Sequence, residues 1–158
     1  MFRVGIGEDV HELVDSLPLV IGGVKIPYKK GLKGHSDADV LVHAVMDAIL
    51  GALCEGDIGQ HFPDTDPMYK GISSLKLLAI VDKIMKNKGY RIHNLDTIII
   101  AQEPKFFPYF SKMKKNLINV LNTDLHSVNI KATTTEGLGF TGRKEGIMAR
   151  AAVLLSKK

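Results

Sequence analysis

Asp9 and His11 flank a single valine in an alternating stretch, Arg3 to His11, that reads as a β-strand. Residues two apart in a strand project from the same face, so at the end of this strand a carboxylate and an imidazole converge on one spot. A second imidazole, His43, sits in the run from Val40 to Leu53, which is apolar nearly all round and therefore reads as a buried helix. Asp39, His43 and Asp47 follow one another a helical turn apart and form a polar stripe down that helix, where an unpartnered charge would cost on the order of several kcal/mol. Two readings fit. Either His43 is paired with the neighbouring carboxylates inside the core, or it meets Asp9 and His11 to complete the three-donor set of a catalytic zinc site, whose fourth position is left for a ligand.

Phosphate chemistry is the natural partner of such a site. His35 and Ser36 stand where the buried helix should begin, and free backbone amides there favour an anion. Asp57-Ile58-Gly59-Gln60-His61-Phe62-Pro63-Asp64-Thr65-Asp66-Pro67 is a polar stretch with several acids and no periodicity, suited to binding the hydroxyl groups of a polyol. Ala101-Gln102-Glu103-Pro104-Lys105 and the run from Lys131 to Arg143 each follow an expected strand. In the second, Ala132, Thr133, Thr134 and Thr135 offer hydroxyls and backbone, the glycines allow close approach to phosphates, and Glu136 could hold a hard cation. Neither segment has the spacing of a P-loop or a dinucleotide fingerprint. The Phe106-Phe107 pair reads first as core and second as a stacking platform. His61, His93 and His126 carry no partner signal. Cys54, the only cysteine, reads as an inert core residue.

The elements that must position these groups alternate along the chain. Leu19 to Ile21, Gly22-Gly23 and Val24 to Ile26 predict a hairpin closed off by Pro27. Ser36-Asp37-Ala38-Asp39 is a capping pattern that predicts a helix running to about Leu53. Ser73 or Ser74 opens another, ended by Gly89. Tyr90 to Ala101 predicts a strand, Pro108 to about Leu121 an amphipathic helix, and Val128 to Thr133 a strand. Gly146 to Leu155 predicts a strand or a helix. This order implies an α+β sandwich with helices on one face of a mixed sheet.

With 158 residues, 45% hydrophobic and 24% charged, the chain is expected to form a single domain over residues 1–158. Its apolar runs are too short to span a bilayer and its first residues lack a signal pattern, so a cytoplasmic protein is expected. The net charge of +4 comes from scattered lysines, with a loose group at Lys105, Lys112, Lys114 and Lys115, and there is no tryptophan. Such a surface suits a small anionic ligand and argues against nucleic acid.

Taken in order, Asp9-Val10-His11, Ile21-Gly22-Gly23-Val24, Gly34 to Val40, Gly56-Asp57-Ile58-Gly59, Phe62 to Pro67, Ala101-Gln102 and Lys131 to Arg143 closely resemble the 2-C-methyl-D-erythritol 2,4-cyclodiphosphate synthase family over nearly the whole chain. The resemblance implies a lyase of the non-mevalonate isoprenoid pathway that converts 4-CDP-2-C-methyl-D-erythritol 2-phosphate to a cyclic diphosphate and CMP. It maps zinc onto Asp9, His11 and His43, and a second cation, Mg2+ or Mn2+, onto Glu136. It makes His35 and Thr134 catalytic, stabilising the transition state. It assigns the methylerythritol portion of the substrate to Asp57, Ile58, Gly59, Phe62, Pro63, Asp64, Thr65 and Asp66, and further substrate contacts to Asp9, Val10, His11, His35 and Ser36. On the cytidine side it assigns Ala101, Gln102, Glu103, Pro104, Lys105, Phe106, Phe107, Ala132, Thr133, Thr134 and Thr135, and it counts Glu136 among the substrate contacts.

The implied fold is a ferredoxin-like subunit of a homotrimeric prism, each site drawing its metal from one subunit and its cytidine pocket from the next. Phe140 and Arg143 match positions near the trimer axis, where some members hold an isoprenoid diphosphate. Two positions depart from the family pattern: Glu8 replaces an aromatic residue, and Gly137 replaces a lysine. The readings that compete with the synthase are a metal-dependent phosphohydrolase, with Asp39 or Asp47 as base, and a non-catalytic nucleotide-binding module. Asp47 is also a candidate partner for His43.

Overall fold

The computed structural model describes residues 1–157. Strand β1 (Phe2–Asp15) leads into three short strands, β2 (Leu19–Ile21), β3 (Val24–Ile26) and β4 (Lys30–Leu32), then helix α1 (Val40–Leu53) and the short α2 (Ile58–His61). Helix α3 (Ser74–Asn87), strand β5 (Tyr90–Ile100), helix α4 (Phe110–Leu121), strand β6 (Val128–Thr133), the short α5 (Gly139–Gly142) and strand β7 (Gly146–Lys157) complete it. The main sheet runs β4-β1-β7-β5-β6, and β2 pairs with β3 as the expected hairpin. Among the described residues no helix is long and apolar enough to cross a membrane.

The mixed sheet is as expected, because β5 and β6 are parallel through the α4 crossover while β7 is antiparallel to both β1 and β5. The ferredoxin-like order is not what forms. That order is β-α-β-β-α-β, whereas here two helical connections come first and β6 and β7 follow one another with only α5 between them. The segment left open between strand and helix is β7, which lies between β1 and β5 and alternates buried with exposed positions through its middle, as a strand with one covered face does.

Helix α1 packs on β1 and β7, α3 touches β5, and α4 touches β6. In β1 the odd-numbered residues face the helices. Gly5 and Gly7 are buried there, and a Cβ on either would overlap the carbonyl oxygen of Ala48 or Ala44. Glycine is therefore the only residue that lets α1 lie this close to the strand. Phe2, Val4, Ile6 and Val10 alternate onto the opposite, bare face, where Val4 is 71% and Ile6 78% exposed. Strand β1 also outruns its expected end, because Leu13 to Asp15 pair with β4.

Helix α1 begins at Val40, with Asp39 as its cap, and not at Ser36. Ala38 has φ of 56°, a left-handed conformation that no helical turn contains. Asp39 is fully buried, and its Oδ1 accepts from Val42 N (3.1 Å) and Gly22 N (2.9 Å) while Oδ2 accepts from Gly23 N (2.6 Å). Burial pushes this carboxyl up to about 6, against the pull of the three N–H donors. Its task is thus to tie the β2-β3 turn to the start of α1. Hydrogen bonds to a charged acceptor are worth roughly 1.5–3 kcal/mol each.

Candidate metal centre and substrate cleft

The alternation that places Gly5 and Gly7 beneath α1 also turns Asp9 and His11 toward it, in mid-strand, and the tight contact at Ala44 delivers His43 to the same point. Donor atoms of Asp9, His11 and His43 all lie within 4.8 Å of one another, a group able to hold a metal ion. Asp9 Oδ2 is 2.9 Å from His11 Nδ1 and 3.1 Å from His43 Nδ1, and the two rings are 5.2 Å apart at their centroids. His11 Nδ1 is buried and, despite its short distance to Asp9, makes no aligned hydrogen bond. A buried nitrogen of this kind is costly unless something else binds it. Gly34 makes room for the ring, since a Cβ there would sit 2.9 Å from His11 Nε2.

The charges agree with this geometry. Burial raises the Asp9 carboxyl, but the two imidazoles outweigh it and hold the group below the usual carboxylate range. Burial lowers His43, but hydrogen bonding and attraction to Asp9 outweigh it and hold the ring above the usual histidine range. Without a metal the cluster is a carboxylate gripped by imidazole. Asp9, His11 and His43 are the residues that would hold a dication there, and its charge would compensate the buried carboxylate.

A cavity of about 570 Å³ opens on these donors. Its wall includes His35, Ser36, Ile58, Gly59, Phe62, Pro63, Asp64 and Thr65, so much of the predicted methylerythritol stretch meets the metal residues. That stretch is more ordered than its composition implied. Asp57 caps α2 by accepting from Gln60 N (3.0 Å), and Asp66 caps a 3-10 turn over Pro67–Tyr69 by accepting from Met68 N (2.9 Å). His35 Nε2 lies 3.0 Å from the carbonyl of Asp66, which ties the helix approach to the loop. Tyr69, Met46 and Leu77 also line the cavity; Phe62 and Tyr69 meet edge to face at 5.5 Å. None of these three carried a signal, because each reads as ordinary core.

Other expected site residues lie elsewhere. Val10 points to the bare face of the sheet. Asp47 is not a partner of His43: its Oδ1 accepts from Ile58 N (2.8 Å), which anchors α2. Asp47 and Asp57 border a second cavity of about 680 Å³ with Glu8, Thr97 and Arg150, larger than the first but without a donor cluster. Cys54 is exposed, contrary to the core expectation, because it is the left-handed cap beyond the last turn of α1.

The residues expected on the cytidine side gather at the carboxyl ends of the parallel pair β5 and β6, where ligand loops of α/β units commonly sit. Ala101 N donates to Thr133 O (3.1 Å) and Gly137 N to Gln102 Oε1 (3.1 Å). Thr134 Oγ1 is 3.3 Å from both Glu136 N and Glu136 Oε1. Glu103 accepts from Lys144 (2.7 Å) and Tyr28 (3.2 Å), Phe106 is buried, and Phe107 is 81% exposed, so the aromatic pair divides between core and surface. Arg143 pairs with Glu145, and Phe140 lies against Gly146. In register, Val10 faces Met148, Met148 faces Ile100, and Ile100 faces Thr133. Three strand spacings, about 14 Å, separate the metal donors from the threonine loop, and neither Thr134 nor Glu136 lines the metal cavity.

Residues 2–156 match the model of the YgbB family. The 2-C-methyl-D-erythritol 2,4-cyclodiphosphate synthase of Geobacillus sp. (strain WCH70) is 61% identical over 158 residues, all of both chains. Among solved structures, IspF of Plasmodium falciparum in a CDP complex is 36% identical with a TM-score of 0.87, over 99% of this chain and 97% of that one. The bifunctional IspDF of Campylobacter jejuni is 42% identical with a TM-score of 0.96; this chain is fully covered and spans 43% of that protein's length. A match of this extent, in sequence and in fold, places the chain in the YgbB family, alongside the 2-C-methyl-D-erythritol 2,4-cyclodiphosphate synthases.

Proposed function

We infer that this chain is a cyclodiphosphate synthase: a lyase in which the 2-phosphate of 4-CDP-2-C-methyl-D-erythritol 2-phosphate attacks the β-phosphate and expels CMP. The observation that carries this reading is the convergence of Asp9, His11 and His43 on one point of a cavity whose wall is the Ile58 to Thr65 segment. Asp9, His11 and His43 would hold zinc, which would supply Lewis-acid character toward a phosphate bound there, and Glu136 would hold Mg2+ or Mn2+, which would offset phosphate charge. The nucleophile is already an anion near neutral pH, so the protein needs no general base. What it contributes is position and charge complementarity. His35, fixed against Asp66 O, presents its ring to the cavity, while Asp64 and Thr65 offer acceptors and a hydroxyl to the polyol.

A phosphohydrolase would need a carboxylate to activate water beside the metal. Asp39 is spent on three backbone N–H groups and Asp47 on a fourth, and neither lines the metal cavity. Incubation with the CDP substrate, zinc and magnesium should therefore yield CMP and a cyclic diphosphate in equal amounts, followed by phosphorus NMR. Release of inorganic phosphate instead would make the protein a hydrolase, and tight CDP binding without turnover would make it a nucleotide-binding module.

The cytidine half of the site belongs, in this reading, to a neighbouring copy in a cytoplasmic homotrimer. Support comes from the roughly 14 Å between the two halves and from the bare apolar face carrying Phe2, Val4 and Ile6. Mixing is diagnostic. His43→Ala and Glu136→Gln chains, each inactive alone, should regain activity when refolded together, because some sites then draw both intact halves from different chains. Sites confined to one chain would show no such recovery.

A further inference from the structure

We propose that Asp37 and Ser74, which are not among the three donors and do not line the cavity, are positioning residues that lock His43 with its Nδ1 lone pair facing the metal. The inference rests on the zinc reading of Asp9, His11 and His43. Ser74 Oγ, fully buried at the first turn of α3, lies 2.5 Å from Asp37 Oδ1 and 2.9 Å from His43 Nε2. A serine hydroxyl has one proton. Asp37 also accepts from Ser74 N (3.0 Å) and Asp39 N (3.2 Å), as an ionised acceptor does, so that proton points at the carboxylate.

Ser74 Oγ therefore turns a lone pair toward His43, and Nε2 must carry the hydrogen that fills it. Were Nε2 bare, two lone pairs would face each other at 2.9 Å in a buried setting. Ser36 Oγ, which accepts from Ala38 N (3.3 Å), lies 3.1 Å from His43 Nε2 and has a further lone pair that can share the same Nε2–H. With Nε2 protonated, Nδ1 is the nitrogen left for the cation, and it is the one already aimed at Asp9. The chain from Asp37 through Ser74 to His43 is the arrangement by which a carboxylate steadies a metal-bound imidazole, here passed through a hydroxyl.

Three elements are joined in this way, since Asp37 precedes α1, His43 lies on it and Ser74 starts α3. Ser74→Ala separates the positioning role from a structural one, because it removes the hydroxyl and keeps the backbone N–H that Asp37 caps. Asp37→Asn reverses the relay, since whichever way the amide turns, its NH2 faces a donor. Zinc affinity should be measured by chelator competition, alongside thermal unfolding and imidazole 15N NMR of the zinc-loaded protein. The expected result is zinc binding weakened about 10–100-fold in Ser74→Ala and Asp37→Asn, recovered within a few-fold in Ser74→Thr, with a slowly exchanging Nε2–H of His43 in the unaltered protein.

Zinc affinity unchanged in Ser74→Ala, even with a lowered melting temperature, would overturn the proposal, as would a zinc-loaded His43 bound through Nε2 or lacking the Nε2–H. If the unaltered protein itself fails to bind zinc, the metal-centre reading falls, a result distinct from the loss of the relay alone.

Discussion

His43→Ala is expected to lower kcat/KM for CMP release by about 10³-fold or more and to abolish stoichiometric zinc binding, while the circular dichroism spectrum stays unchanged. The expectation follows from where the ring sits. It is the donor that α1 contributes to the cluster, and alanine leaves Asp9 and His11 as a pair on one strand, too few to hold a catalytic zinc. The helix itself tolerates the change, because its contact with β1 is made by Ala44, Ala48 and the two glycines rather than by the imidazole. Steady-state kinetics with metal analysis of the purified variant checks both effects. Normal turnover in a zinc-free variant would mean that the metal takes no part in the reaction.

Gly7→Val should be nearly as damaging for a different reason. A branched side chain at Gly7 would drive into the Ala44 carbonyl, and α1 cannot yield without opening the core around Leu41, Val45 and Ile49. Overpacking of this severity costs about 3 kcal/mol, a large part of the stability of a domain of this size. Urea unfolding should show the loss, and because α1 carries His43, the folded fraction should also bind zinc more weakly. Stability within 0.5 kcal/mol of the unaltered protein, roughly the range of an innocuous surface change, would show that the helix rests less closely on the strand.

The convergence of Asp9, His11 and His43 was legible because strand and helix periodicities are local rules: spacing two on β1 and a single histidine in an apolar helix point at a common core. The stripe of Asp39, His43 and Asp47 was only partly so. Periodicity placed all three on one helix face, yet each has a different partner: the glycine turn for Asp39, Asp9 and Ser74 for His43, and Ile58 N for Asp47. Those partners are distant in sequence, and no spacing rule reaches them. The order of strands was illegible for the same reason, since whether β7 inserts between β1 and β5 depends on global packing. The α1 boundary falls at Asp39 rather than Ser36 because two capping-type residues compete three positions apart, and only the amides of Gly22 and Gly23 decide for Asp39.

X-ray absorption at the zinc edge of the purified protein tests the central claim most directly. One zinc per chain, with two imidazole nitrogens and one carboxylate oxygen plus a single exchangeable ligand, is the expected result, and the imidazole signature should halve in His11→Ala. An unloaded protein after zinc incubation, or a zinc ion seated on other ligands and indifferent to His11 and His43, would contradict the account.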